Sequence, residues 1–173
     1  MNRGYLVAVL ACLFVALVGG AAAAPSDGAF AQEGIEPDDI LLSMTIEDDG
    51  DARWTIEYRT RLETAEDEQA FEELRSDIEA DPGPYAQRFR DRMSGTASVA
   101  ENATDREMVI AEMSVSAEQR DLPREYGVLS YGFRWSNFAA VESDRLIVGE
   151  AIDGLFLDEE TSLLISWTDS HEL

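Results

Sequence analysis

Residues 40–62 read ILLSMTIEDDGDARWTIEYRTRL. In the first half Leu42, Met44 and Ile46 alternate with Ser43, Thr45 and Glu47. After Asp48-Asp49-Gly50-Asp51 the alternation resumes: Ala52, Trp54, Ile56, Tyr58, Thr60 and Leu62 on one side, Arg53, Thr55, Glu57, Arg59 and Arg61 on the other. A period of two sends successive side chains to opposite faces of a strand. Two such runs flanking Asp-Gly form a β-hairpin. One face is apolar and the other charged, as in an antiparallel sheet packed on one side and wet on the other.

The period changes downstream. Thr64 caps a helix whose first turn carries Glu66 and Asp67, favourable at the positive end of the helix dipole. Phe71, Leu74 and Ile78 make its apolar stripe, and Asp81-Pro82-Gly83-Pro84 ends it. A second helix is expected from Pro84 towards Ala100, with Tyr85, Phe89 and Met93 aligned and Gly95 weakening its second half. Strand alternation returns near Arg106. Val109, Ala111, Met113, Val115 and Ala117 are expected on one face of a third strand, and Leu129, Tyr131, Phe133 and Trp135 on one face of a fourth. Leu163, Ile165 and Trp167 mark a fifth, while Ser136 to Glu160 carries no clear period. The order predicts an α+β domain: an antiparallel sheet of about five strands with two helices on one face.

Before the hairpin lies a different kind of sequence. Arg3 precedes an uncharged run from Tyr5 to Ala24 that ends in Gly19, Gly20 and Ala21 to Ala24. Such a run is a secretory signal peptide over residues 1–24, with an alternative cut after Ala31. An uncleaved membrane tether is the other reading, because a helix of roughly 20 apolar residues spans a bilayer. Residues 25–39 form a polar, flexible lead-in, and residues 40–173 a single extracytoplasmic domain. Cys12 is the one cysteine, so removal of the signal leaves no thiol for a disulfide, a zinc site or a nucleophile.

Composition points to the solvent. The 173 residues hold no lysine, and 13 arginines face 36 Asp and Glu, a net charge of −23. That charge repels itself in dilute buffer, whereas at molar salt the Debye length falls to about 3 Å. The arginines can grip carboxylates bidentately. This is the composition of a halophile's protein, and its charge disfavours nucleic acid as a partner.

Candidate chemistry is sparse. Glu47-Asp48-Asp49-Gly50-Asp51 invites comparison with a calcium loop but lacks the alternating ligand spacing and the final Glu, so a tight turn is favoured. His171 is the one histidine, which disfavours Ser-His-Asp catalysis and transition-metal sites. No cofactor or metal is expected. Asn102-Ala103-Thr104 is a sequon suited to a glycosylated surface loop. Arg53, Arg59 and Arg61 on the second strand, with Arg88, Arg90 and Arg92 on the second helix, are candidates for a patch that docks an anionic partner. Pairing with nearby acids is the plainer expectation for them. Trp54, Tyr58, Tyr131, Phe133 and Trp135 could stack sugars, yet their alternation with polar residues assigns them to the core.

The run from Asp49 to Ile56 (DGDARWTI) resembles the first hairpin of an extracytoplasmic domain widespread in haloarchaea. Arg106-Glu107-Met108, the run from Phe133 to Val141 (FRWSNFAAV) and the run from Asp144 to Ala151 (DRLIVGEA) are similar to further motifs of that family. The similarity spans about Ile40 to Trp167. It implies an uncharacterised outer domain that follows a signal and often precedes a transmembrane helix and a cytoplasmic winged-helix module. It supplies no catalytic residue. This sequence departs from that design by ending at Leu173, as expected of a shortened paralogue or of a reading frame that ends prematurely and lacks a C-terminal membrane tether. The expected function is a non-enzymatic interaction or sensing domain, secreted or tethered at the cell surface, whose partner is another surface or membrane protein. A secreted small-ligand binder is the alternative, and a hydrolase comes third.

Overall fold

The computed structural model describes residues 37–121, 124–143, 145–148, 151, 157 and 159–168. The expected signal peptide, the lead-in up to residue 36 and His171 lie outside the described residues.

The chain forms β1 (Asp39–Ile46), β2 (Ala52–Arg61), α1 (Ala65–Ala80), α2 (Gly83–Thr104), β3 (Ile110–Arg120), β4 (Tyr126–Trp135), β5 (Ala140–Glu142), β6 (Arg145–Ile147) and β7 (Thr161–Trp167). Five strands make one sheet in the order β3-β4-β2-β1-β7, while β5 and β6 pair separately. The fold is α+β, as the periodicity predicts. β1 and β2 form the hairpin, with Leu42 opposite Ile56 and Met44 opposite Trp54. The turn closes through Gly50 N–H to the Glu47 carbonyl at 3.0 Å, with Gly50 at φ +88°. A side chain there would meet the Ala139 carbonyl at 2.6 Å, so only glycine fits.

The sheet is mixed rather than antiparallel. β7 runs parallel to β1, pairing Leu42 with Leu163 and Met44 with Ile165. Since β4 is antiparallel to β2 and β2 to β1, β4 and β7 point the same way. Strands of one direction need a long crossover, and Ser136 to Glu160 provides it. Side-chain alternation carries no information about strand direction, which is why the sequence does not reveal this.

β3 departs from its expected face. Glu112 sits at φ +52°, and the register with β4 shifts between Ala111 and Ser114. This β-bulge inserts a residue and reverses the phase of the strand. Ile110 is therefore buried and Val109 is 55% exposed, while Met113, Val115 and Ala117 reach the core as expected.

Both helices pack on one face of the sheet. Thr64 caps α1 as predicted, its hydroxyl accepting the Asp67 N–H while the Asp67 carboxylate accepts the Thr64 N–H. Phe71, Leu74 and Ile78 of α1 and Phe89, Met93, Ala97 and Ala100 of α2 enter the core. The Phe71 ring lies directly on Gly127 of β4, where an added Cβ would fall 2.4 Å from it. Phe89 stacks on Tyr131 with ring centres 4.0 Å apart. Trp54, Tyr58, Phe133 and Trp135 are buried beside them, as core residues and not as a surface platform. α2 continues past Gly95 to Thr104, longer than expected, because its buried stripe extends to Ala97 and Ala100.

Candidate functional site

The outer face of the sheet, opposite the helices, carries the residues that alternation removes from the core. Among the described residues no helix or second sheet covers it, and arginine–carboxylate networks run across it. At one end Arg53 Nε donates to Glu47 at 2.7 Å and Arg53 Nη1 to Glu112 at 3.1 Å. Neighbouring Arg134 binds Asp51 at 2.7 Å, Asp49 at 3.2 Å and Glu47 at 3.1 Å. Register explains the pairing, since Arg53 lies directly across from Arg134 and two adjacent guanidiniums call for several carboxylates.

At the other end Glu57 accepts from Arg59 at 2.5 Å and from Arg120 at 2.9 Å, and Arg120 also pairs with Glu118. Burial alone would raise the Glu57 pKa. The hydrogen bonds and charges of Arg59 and Arg120 outweigh it and hold the carboxyl below its ordinary range. Asp38 behaves likewise: burial opposes, and the side-chain and backbone hydrogen bonds of Arg61 win. Asp38 thereby ties the end of the lead-in to β2, and β1 begins at Asp39, one residue before the alternation becomes legible. Val128, which lies in register between Arg59 and Glu118, is 1% exposed although it belongs to this face.

Glu47, Asp49 and Asp51 bring ligand oxygens within 4.8 Å of one another, a geometry a cation could use. The Arg134 guanidinium already stands among them. Asp51 has a further duty, accepting the Asn137 N–H at 2.8 Å. The acidic run is therefore a turn fastened by an arginine and a loop.

The sequence-predicted arginines fall into two places. Arg53, Arg59 and Arg61 share the outer face, each paired with acids. Arg88 and Arg92 lie on α2, across the sheet, where their guanidiniums sit 4.9 Å from the Tyr85 ring and 5.0 Å from the Phe89 ring. The structure does not bring the two groups together. Arg134, which joins Glu47, Asp49, Asp51 and Glu112, and Arg120, which bridges Glu57 and Glu118, escape sequence reasoning. The alternation of β3 and β4 puts them on the polar face, but only the register shows their partners. Asn102 is exposed in the last turn of α2 instead of in a loop, and its amide donates to the Ser98 carbonyl at 2.7 Å.

The stretches that carry the family resemblance meet at one corner. Ala139 N–H donates to the Gly50 carbonyl at 2.8 Å, closing the hairpin turn against the segment after β4. Arg106 donates to the carbonyls of Asn137 and Phe138, and Asn137 Nδ2 to the Glu107 carbonyl at 2.7 Å. Trp135 Nε1 reaches the Met108 sulfur at 3.1 Å. Apart from the Trp135–Met108 contact, these hydrogen bonds satisfy backbone groups of the turn, of the segment after β4 and of Glu107. Part of the fourth stretch is described: Arg145–Ile147 pairs with Ala140–Glu142.

A helix pair on one face of a mixed five-stranded sheet, with an ion-paired face left open, defines a two-layer α+β domain. The chain belongs to the family described as a domain of unknown function, DUF7345, whose model matches residues 43–171. No curated protein and no solved structure matches the chain.

Proposed function

We propose that the protein is a non-enzymatic, extracytoplasmic interaction or sensing domain of a halophile, secreted or held at the cell surface. The observation that carries this reading is the open face of the sheet, where arginines are spent on carboxylates of the same chain. Among the described residues the carboxyls whose pKa moves, Asp38 and Glu57, move downward under arginine partners. That is the behaviour of structural ion pairs, whereas a general acid needs a raised value. Among the described residues no polar or charged residue is buried, so polar contacts with a partner would be made at the surface. The charge-free run from Tyr5 to Ala24 supports export, and the lysine-free acidic composition supports a saline exterior.

Fractionation of the native host tests the proposal. The protein should appear in the medium or envelope with an N-terminus near Pro25 or Gln32. A tethered form would keep Met1 in the membrane fraction. Recovery from the cytosol with Met1 intact would contradict it.

A further inference from the structure

The two edges of the sheet are built differently. β3, at one edge, carries Glu112, Glu118 and Arg120 and is broken by the bulge at Glu112. Charges and bulges are the devices by which edge strands avoid pairing with another chain. β7, at the opposite edge, has none of them. Its seven residues, Thr161-Ser162-Leu163-Leu164-Ile165-Ser166-Trp167, include no charge, proline or glycine, in a chain of net charge −23. Its pairing with β1 is regular along its whole length. Leu164 is 60% and Trp167 40% exposed, and among the described residues no strand lies beyond β7.

We infer that β7 is a self-association edge, on which two copies of this chain pair antiparallel about a two-fold axis at Leu164, joining their sheets into one. The sequence of the strand names the occupant. A two-fold at Leu164 sets Leu164 against Leu164 and Ser162 against Ser166 on the outer face. On the inner face it sets Leu163 against Ile165 and Thr161 against Trp167. Leu164 with Leu164, Ser162 with Ser166 and Leu163 with Ile165 match in polarity, and Thr161 against Trp167 sets a β-branched side chain beside an aromatic one, a favourable cross-strand pair. A second copy brings the same negative charge, so close approach is cheapest where the strand carries none and salt screens the rest. The backbone groups of the edge supply the hydrogen bonds, as in strand addition generally. The contact is narrow, so association depends on concentration. The inference stands apart from whatever the outer face binds.

The test is sedimentation equilibrium of the full chain in molar salt over a concentration series. Wild type is expected to approach twice the single-chain mass. Leu164→Glu, which sets two carboxylates at the axis, stays at the single-chain mass. Val99→Glu, on an exposed position of α2, behaves as wild type. Cysteine pairs check the register, because directly opposed residues in an antiparallel pair lie within disulfide reach. In a Cys12→Ser background, Leu164→Cys should give a covalent dimer on oxidation and Val99→Cys should not. A wild type monomeric at every concentration would overturn the inference and leave the edge to a different partner. Association that survives Leu164→Glu, as through the apolar N-terminal run, would overturn it too. Equal crosslinking at Leu164→Cys and Val99→Cys would do the same.

Discussion

The inner and outer faces of this sheet are made by the same alternating strands and are held by unlike forces. The inner face buries Trp54, Tyr58, Tyr131, Phe133 and Trp135 under two helices, and its stability comes from removed apolar area and close packing. The outer face is held by directional ion pairs, most with partners partly in water, and salt screens them. The difference teaches where a substitution is felt. A lost methylene inside leaves a void, while a lost charge outside is replaced by water and counterions.

The largest expected effect is on the inner face. Phe71→Ala removes the ring that rests on Gly127 and should cost about 3–5 kcal/mol in denaturant unfolding at molar salt. A loss below about 1 kcal/mol would mean that the packed face is not where stability resides. Filling the same contact from the other side should also hurt. Gly127→Ala places a Cβ against the ring and is expected to cost about 1–3 kcal/mol.

Next comes the corner joining the two faces. Gly50→Ala forces a side chain into left-handed backbone against the Ala139 carbonyl, a loss of about 1–2 kcal/mol from the backbone alone. Unchanged stability would show that the turn relaxes freely.

Acid probes the outer face selectively. The folded pKa of Asp38 and of Glu57 is depressed below the unfolded value, so their contribution is present at neutral pH. It is lost as pH falls below the ordinary carboxylate range, roughly pH 4. Melting temperature should therefore drop on acidification, and less steeply in Glu57→Gln than in wild type. Equal slopes would remove Glu57 from the account. The smallest effect is the pairwise coupling of Arg120 with Glu57. A double-mutant cycle should give about 0.5 kcal/mol, weaker still in molar salt.

Much of the inner face was legible in the alternation of residues 40–62 and 129–135, because burial and period two go together. The Thr64 cap was legible for the same local reason: a short polar side chain ahead of an acidic first turn. What alternation does not record is direction and phase. The parallel pairing of β7 depends on a crossover whose sequence has no period, and the bulge at Glu112 reverses β3 without a glycine to announce it. On the outer face the composition foretold that arginines would pair. Arg53, Arg59 and Arg61 stood out because they share one strand, whereas Arg120 and Arg134 gain their partners across strands. Trp167, in phase with Leu163 and Ile165, ends the edge strand and remains 40% exposed.

The saline setting in the proposal requires that salt screen the chain's net charge of −23. Circular dichroism and melting of the purified chain, followed from molar sodium chloride to about 0.1 M, test it most directly. The account predicts loss of the folded signal as salt falls, recovered when salt is restored. A melting temperature indifferent to salt across that range would contradict it.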